Sequence, residues 1–202
     1  MKVLLVNGSP HKAGCTHTAL AEVAGALREC GVESDEYWIG AAPVAGCTGC
    51  KACRSLGCCV LDDAVNSFVN QARDFDGFVF GSPVHFAAPT GALLAFLGRV
   101  FYSAGGQFAG KAAASVVSCR RAGATAALDV LNKFCQICNM PMVTSQYWNM
   151  VHGNTPEEVR EDLEGMQTMR ALGRNMAWML RKLPADSLPA AEQPRLRTSF
   201  IR

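Results

Sequence analysis

Short apolar runs alternate with segments of helical periodicity along this chain, and this alternation limits its fold more than any other feature. The clearest run, at residues 77–83, is apolar through its middle and closes with Gly-Ser-Pro, which is typical of a buried parallel strand entering a turn. Five rounds of strand and helix predict an α/β fold with a parallel sheet covered on both faces. The predicted strands are 2–6, 33–39, 77–83, 111–118 and 140–145, and the predicted helices are 16–30, 62–72, 90–102, 122–138 and 156–183.

The composition limits both the size of the core and the class of partner. A chain of 202 residues that is 50% hydrophobic can bury one full-sized core. We therefore expect one domain over residues 1–183 and an extended C-terminal arm over 184–202, which carries prolines among mixed polar residues. The net charge of +2 and the lack of a Lys/Arg-rich run argue against nucleic acid as a partner.

No stretch of the chain has the length and apolar character of a membrane span, and the N-terminus lacks a signal-peptide pattern. We accordingly expect a cytoplasmic protein without a membrane partner. In such a compartment, ten cysteines indicate thiols, metal binding or redox chemistry in preference to structural disulfides.

Ligands of open parallel sheets bind at the carboxyl ends of the strands. This rule selects three loops as the candidate site, at residues 8–17, 82–89 and 118–124. Each loop follows a predicted strand, so the three are expected to lie along one edge of the sheet.

The first of these loops has groups that suit a terminal phosphate. It offers the hydroxyls of Ser9 and Thr16, the cationic candidates His11 and Lys12, and the free N–H groups at a helix N-terminus. Neither a Walker GxxxxGK[ST] pattern nor a GxGxxG pattern is present, which argues against ATP and against a Rossmann-bound dinucleotide. An ordinary capped helix after a Gly-Pro turn remains an alternative for this segment alone.

Five of the cysteines fall between Cys47 and Cys59, in a long loop at residues 45–60 with little periodicity. The spacing is Cys47-x2-Cys50-x2-Cys53-x5-Cys59, with Cys58 beside the last. Thiolates at this spacing can converge on a [4Fe–4S] cluster or on a tetrahedral zinc ion. Free thiols or a redox pair are the third possibility, and the motif alone leaves all three open.

The loop Gly8-Ser9-Pro10-His11 with Gly14-Cys15-Thr16 resembles the GSPR-x-x-GNT phosphate loop of the NADPH-dependent FMN reductase and iron-sulfur flavoprotein branch of the flavodoxin superfamily. The order of the elements agrees with that family over about residues 1–183. The chain departs from the pattern at two positions, because His11 replaces the usual Arg and Cys15 replaces the usual Asn.

The resemblance implies a flavodoxin-like, doubly wound five-stranded parallel sheet in the order 2-1-3-4-5, with FMN as the cofactor. It further implies that residues 82–86 line the isoalloxazine ring, and that the loop after the fourth strand makes a third contact. The cysteine spacing resembles the compact cluster motif of iron-sulfur flavoproteins. The implied cofactor-binding residues are Ser9, His11, Cys15, Thr16, His17, Ser82, Pro83, Val84, His85, Phe86, Ser118, Arg120 and Gly123, and the implied metal ligands are Cys47, Cys50, Cys53 and Cys59.

Two further segments have less specific interpretations. The aromatic pair Tyr147-Trp148 is expected after the fifth strand, as core residues by default or as a lid or dimer face. The pair Cys135-x2-Cys138 lies within a predicted helix and is interpreted as part of the apolar core.

The leading functional hypothesis is an FMN-dependent oxidoreductase that passes electrons from NAD(P)H to a small acceptor such as a quinone, a flavin, or a nitro or azo compound. The cofactor supplies this chemistry, so no catalytic acid or base is assigned. The alternative is an electron-transfer protein that contains FMN and a [4Fe–4S] cluster and serves ferredoxin-like partners. A third possibility is a structural zinc site or dimer contact at the cysteine loop. A homodimer or homotetramer is expected in each case.

Overall fold

The computed structural model describes residues 1–183, together with Leu188 and Thr198. Within this part, five parallel strands form one sheet in the order β2-β1-β3-β4-β5, which confirms the predicted fold class. The strands are β1 (Lys2–Asn7), β2 (Glu33–Trp38), β3 (Gly77–Pro83), β4 (Ala112–Cys119) and β5 (Met150–His152). The helices are α1 (Cys15–Glu29), α2 (Cys53–Leu56), α3 (Ala64–Gln71), α4 (Gly91–Ala104), α5 (Ala124–Ile137), α6 (Pro156–Glu161) and α7 (Leu163–Lys182).

The sheet separates two apolar layers, because successive side chains of each strand point to opposite faces. On β1, Leu4 and Val6 pack with α3, α4 and α5, whereas Val3 and Leu5 pack with α1, α6 and α7. Strands buried on both sides need this continuous apolar character. The helices cover the faces and leave the carboxyl edge of the sheet to the loops after β1, β3 and β4.

The fifth strand differs from its prediction at residues 140–145. Only Met142 of that segment makes a β-bridge, to Ala113, and the paired strand is Met150–His152. Pro141 has no N–H to donate to a ladder. Farther on, the Ser145 hydroxyl turns the chain away, since it donates to the carbonyl oxygen of Tyr147 at 2.7 Å.

The predicted C-terminal helix is divided in two at Asp162. Its carboxylate accepts a bond from the backbone N–H of Gly165 at 2.9 Å and another from His152 at 2.7 Å. Aspartate is a favoured N-cap, so Asp162 ends α6 and caps a separate helix, α7, which begins at Leu163. The interpretation of residues 184–202 as an arm falls almost wholly outside the described residues. No helix in the described part of the chain is long and apolar enough to cross a membrane.

Candidate functional site at the carboxyl edge of the sheet

The three loops selected from the sequence meet in the structure. The N–H of Gly8 donates to the carbonyl oxygen of Gly81 at 2.8 Å, which ties the loop after β1 to β3. The Val84 N–H donates to the Ser118 carbonyl oxygen at 2.9 Å, which ties the loop after β3 to β4. A methyl group on Gly8 would lie 2.6 Å from Leu93, so the close approach of the first loop to α4 needs a glycine.

Asn7, the last residue of β1, fixes the shape of the first loop. It is fully buried, and its side-chain oxygen accepts the Ser9 N–H at 3.0 Å. Its amide nitrogen donates to the Lys12 carbonyl oxygen at 3.1 Å and to the Glu36 carboxylate at 2.8 Å. Sequence reasoning did not identify this residue, although a polar side chain directly after a buried apolar run is a signal for it.

The N-terminus of α1 within this loop has no side-chain cap. Its N-cap residue is Gly14, and the N–H groups of Thr16 and His17 find no acceptor within residues 1–183. The first turn of a helix carries partial positive charge and unpaired donors, which suit an anion. His11 and Lys12 are exposed beside it.

Strand β2 supports the same loop from its outer side. The Trp38 ring N–H donates to the Ser9 carbonyl oxygen at 2.8 Å, and the Lys12 ammonium lies 5.8 Å from the centre of the Trp38 ring. His17 pairs with Glu36 through a 2.7 Å contact between Nδ1 and the carboxylate. Because Glu36 also contacts the side chain of Asn7, these groups form one network around the loop.

Three of the hydroxyl groups expected at the cofactor make hydrogen bonds within the protein. Thr16 and Ser118 are buried and share a hydrogen bond of 2.9 Å. Ser82 is also buried, where its hydroxyl accepts the Thr90 N–H at 3.0 Å and donates to the Pro83 carbonyl oxygen at 2.9 Å. These side chains therefore hold the loops together, which residue type alone could not reveal.

The loop after β3 contains a strained turn. His85 and Ala88 exchange two backbone hydrogen bonds of 2.8 and 2.9 Å, and the two residues between them, Phe86 and Ala87, have φ values of 51° and 59°. Non-glycine residues rarely adopt this left-handed region, and such strain is concentrated at functional sites. The phenyl ring of Phe86 at the tip is fully exposed, with His85 exposed beside it and Val84 and Pro83 half-buried.

Gly123 connects this turn to the loop after β4. Its φ is 85°, and a methyl group there would lie 2.8 Å from the Ala87 Cα atom. Both the backbone conformation and the space therefore require glycine. Arg120 lies exposed in the same loop, and α5 begins directly after Gly123 without a side-chain cap.

The cysteine of the first loop faces the loop after β5. The Cys15 thiol donates to the Gly153 carbonyl oxygen at 3.7 Å, and burial raises the pKa of this thiol above 9.0. Burial likewise raises the pKa of the Cys119 thiol at the end of β4. Both side chains consequently favour the neutral thiol over the reactive thiolate.

The four spaced cysteines line one small cavity. Cys47 and Cys50 are exposed, while Cys53 and Cys59 are half-buried, and the cavity between them measures about 20 Å³. Within the described residues, no three Cys, His, Asp or Glu side chains are arranged to hold a single metal ion. The donor set itself, four thiols on one loop, fits a thiolate-ligated cluster in its chemistry.

A buried arginine fastens this loop to α4. The Arg99 side chain is 1% exposed and pairs with Asp63, with 2.9 Å between Nη2 and Oδ1. Its Nε and Nη2 atoms each lie 3.3 Å from the Cys59 sulfur. The bonds from Arg99 hold the pKa of Asp63 below 3.8, and the carboxylate in turn raises the pKa of Arg99.

Two remaining interpretations have different outcomes. Cys135 is fully buried, and desolvation raises its pKa to about 12, so its place in the apolar core is confirmed. Cys138 is half-buried against the same core and follows the last residue of α5. Tyr147 and Trp148 are instead 53% and 56% exposed and precede β5, which makes their expectation as core residues wrong. They lie on the segment that turns away from the sheet after residue 143.

The groups at this edge fit FMN in their chemistry. An uncapped helix N-terminus with exposed His11 and Lys12 suits its phosphate. The exposed ring of Phe86 and the backbone of the strained turn offer a flat surface and hydrogen-bonding groups to the isoalloxazine.

Comparison with known proteins agrees with this assignment. The sequence model of the family described as NADPH-dependent FMN reductase matches residues 1–155. An iron-sulfur flavoprotein of Methanocaldococcus jannaschii is 28% identical over 189 residues, which cover 90% of this chain and 98% of that protein. A second iron-sulfur flavoprotein, from Methanosarcina thermophila, is 28% identical over 184 residues and covers 89% of this chain and 95% of its own.

Among solved structures, a WrbA-like flavodoxin from Agrobacterium tumefaciens superposes with a TM-score of 0.64. The two chains are 14% identical, and the match covers 91% of this chain and 99% of that one. A likeness at this level of identity extends to the fold and no further.

Proposed function

Because this chain belongs to the NADPH-dependent FMN reductase family, we propose that it is a flavin-dependent redox protein that transfers electrons between FMN and an iron–sulfur cluster. The observation that carries the proposal is the cavity at the cysteine loop, since the four spaced cysteines all line it. The relatives named iron-sulfur flavoproteins match nearly the whole chain, and this supports the same function.

The residues divide into three roles in this proposal. The N-terminus of α1, with His11 and Lys12, binds the phosphate, and residues 83–86 orient the ring. Cys47, Cys50, Cys53 and Cys59 ligate the cluster. When bound, FMN accepts one or two electrons and a cluster accepts one, so the protein would join two-electron to one-electron chemistry.

Composition of the purified protein tests the cluster directly. Full-length protein prepared without oxygen is expected to contain FMN, iron and acid-labile sulfide, and to show cluster absorption beneath the flavin bands. Cys59→Ser should lose iron and sulfide but keep FMN. Cys58→Ser is the matched control, because Cys58 is exposed and does not line the cavity, and it should keep all three. Zinc alone, or FMN without any metal, would overturn the cluster assignment.

A second candidate function, the reduction of a small acceptor by NAD(P)H, is favoured by the openness of the site. The ring of Phe86 is fully exposed, and Arg120 and Arg121 are exposed in the next loop, where they can meet the phosphates of a nucleotide donor. Oxidation of NADPH by the purified protein with a quinone would support this function. No NADPH oxidation, together with reduction by ferredoxin, would favour the electron carrier.

A further inference from the structure

Arg99 is a buried cation that makes no hydrogen bond to the loop after β1 or to the strained turn after β3 in the described structure. It lies in the third turn of α4 and is the only charged residue among the largest fully buried side chains of the described chain. Burying a guanidinium is unfavourable unless its donors are paired. The acceptors of the Arg99 N–H groups therefore indicate the role of this residue.

Within the described residues, the hydrogen bonds of the Arg99 guanidinium all go to residues 45–63, the stretch that carries the cysteines. Nη1 donates to the Ala45 carbonyl oxygen at 3.4 Å, before the first cysteine, and Nη2 donates to the Leu61 carbonyl oxygen at 3.0 Å, after the last. Asp63 receives two bonds from Nη1 and Nη2. Arg99 thus joins the two ends of the cysteine loop to one point on a rigid helix.

The remaining edge of the guanidinium is directed at one sulfur. Nε and Nη2 form a parallel pair of donors, each 3.3 Å from the Cys59 Sγ atom. The backbone of Cys59 is held separately by Asn66, whose side chain accepts its N–H at 3.0 Å and donates to its carbonyl oxygen at 2.9 Å. Cys59 is therefore fixed at both backbone and side chain, whereas Cys47 and Cys50 are exposed.

The Asp63 carboxylate offsets this positive charge only in part at the sulfur. Its side chain is 38% exposed, so water screens it, while Arg99 is 1% exposed. Hydrogen bonds and positive charge at a ligating sulfur stabilise the more negative, reduced state of a redox centre and so raise its reduction potential.

We propose that Arg99 is a positioning residue that sets the reduction potential of the redox centre at the cysteine loop through its paired hydrogen bonds to the Cys59 sulfur. The inference rests on the proposed cluster. It adds that one ligand of the four, Cys59, is the one through which the protein tunes that centre.

The test compares Arg99→Lys with Arg54→Lys in full-length protein prepared without oxygen. Arg54 is a matched control, since it lies exposed beside Cys53 and makes no hydrogen bond to a cysteine sulfur in the described structure. The midpoint potential of the cluster is measured by a redox titration followed by electron paramagnetic resonance, beside iron content and melting temperature. Arg99→Lys should shift the potential to more negative values, and Arg54→Lys should leave it unchanged.

A third variant, Asp63→Asn, distinguishes an effect of Arg99 on the reduction potential from its structural role in holding the cysteine loop. Asparagine preserves the N-cap of α3 and leaves the guanidinium with less compensated charge, so the potential should shift to more positive values. Both variants weaken the same ion pair, so both should lower the melting temperature. A purely structural role would therefore affect the two variants alike, whereas shifts of the potential in opposite directions would support tuning by Arg99. If Arg99→Lys loses its cluster, the direction of the Asp63→Asn shift decides.

Unchanged potentials in cluster-loaded variants would overturn the inference while the proposed function stands. Wild-type protein that contains no iron is a different result, because it would overturn the proposed function and the inference together.

Discussion

Two residues, Asn7 and Gly123, hold the loops of the candidate site in their observed geometry. Asn7 bonds to two points of the phosphate loop and to β2, and Gly123 leaves room for the strained turn that presents Phe86. Gly123 is among the cofactor-binding residues that the family resemblance implies, whereas Asn7 is not. The contribution of each residue can be tested by substitution, because Asn7 makes defined hydrogen bonds and Gly123 leaves a defined space beside Ala87.

Gly123→Ala should destabilise the protein and weaken FMN binding. The left-handed backbone costs a non-glycine residue about 1–2 kcal/mol, and the new methyl group would push against Ala87. Urea unfolding and fluorescence titration with FMN measure the two effects. Gly25→Ala is the matched control, since nothing lies within 4 Å of a methyl group there and alanine favours a helix. Equal FMN affinity in the two variants would contradict this role of Gly123.

At the scale of elements, capping residues decide where the secondary structure of the C-terminal third begins and ends. Periodicity alone predicts one helix over 156–183, but Asp162 divides it and ties the second helix to β5 through the His152 N–H. The misplaced fifth strand has a related origin. An apolar run ending in β-branched residues has strand character, and residues 141–143 do bond to Ala113 near the start of β4. The carboxyl end of β4, from Val117 to Cys119, pairs instead with Met150–His152.

Asp162→Ala should lower the free energy of unfolding by about 1–2 kcal/mol, because α7 loses its N-cap and β5 loses a bond. Asp162→Asn should lie between wild type and alanine, since one side-chain oxygen remains to accept the Gly165 N–H. Asp129→Ala, on the exposed face of α5, serves as the control and should change stability little. The prediction fails if Asp162→Ala unfolds at the same urea concentration as the control.

At the scale of the whole molecule, the two candidate sites lie on different parts of the same framework of sheet and helices. The candidate flavin site consists of the loops after β1, β3 and β4, whereas the cysteine loop is fastened along α4 by Arg99 and Asp63. The two regions are connected by one helix, since α4 begins at Gly91, shortly after the turn at residues 85–88, and carries Arg99 in its third turn. This arrangement links the stability of the cysteine loop to an ion pair.

That ion pair predicts a dependence of stability on pH. Arg99 holds the pKa of Asp63 below 3.8 in the folded state, so the stabilisation is complete above pH 3.8 and is lost as the pH falls through the folded pKa. The difference in unfolding free energy between wild type and Asp63→Asn should be constant near neutral pH and shrink below pH 3.8. Urea unfolding across pH 7 to about 3 measures it. A difference that does not change on acidification would argue against the pair.

The amino-acid sequence was sufficient to predict the fold class, the sheet order through family resemblance, and the three loops that meet at the carboxyl edge of the sheet. It could do so because strand burial, turn chemistry and the carboxyl-edge rule act over short stretches of chain. Only the tertiary structure decided that Thr16 and Ser118 bond to each other, that Tyr147 and Trp148 are exposed, and that Arg99 contacts Cys59. Thr16 and Ser118, like Arg99 and Cys59, are 40 or more residues apart in the sequence. No local pattern encodes which distant group accepts a hydrogen bond or covers an aromatic ring.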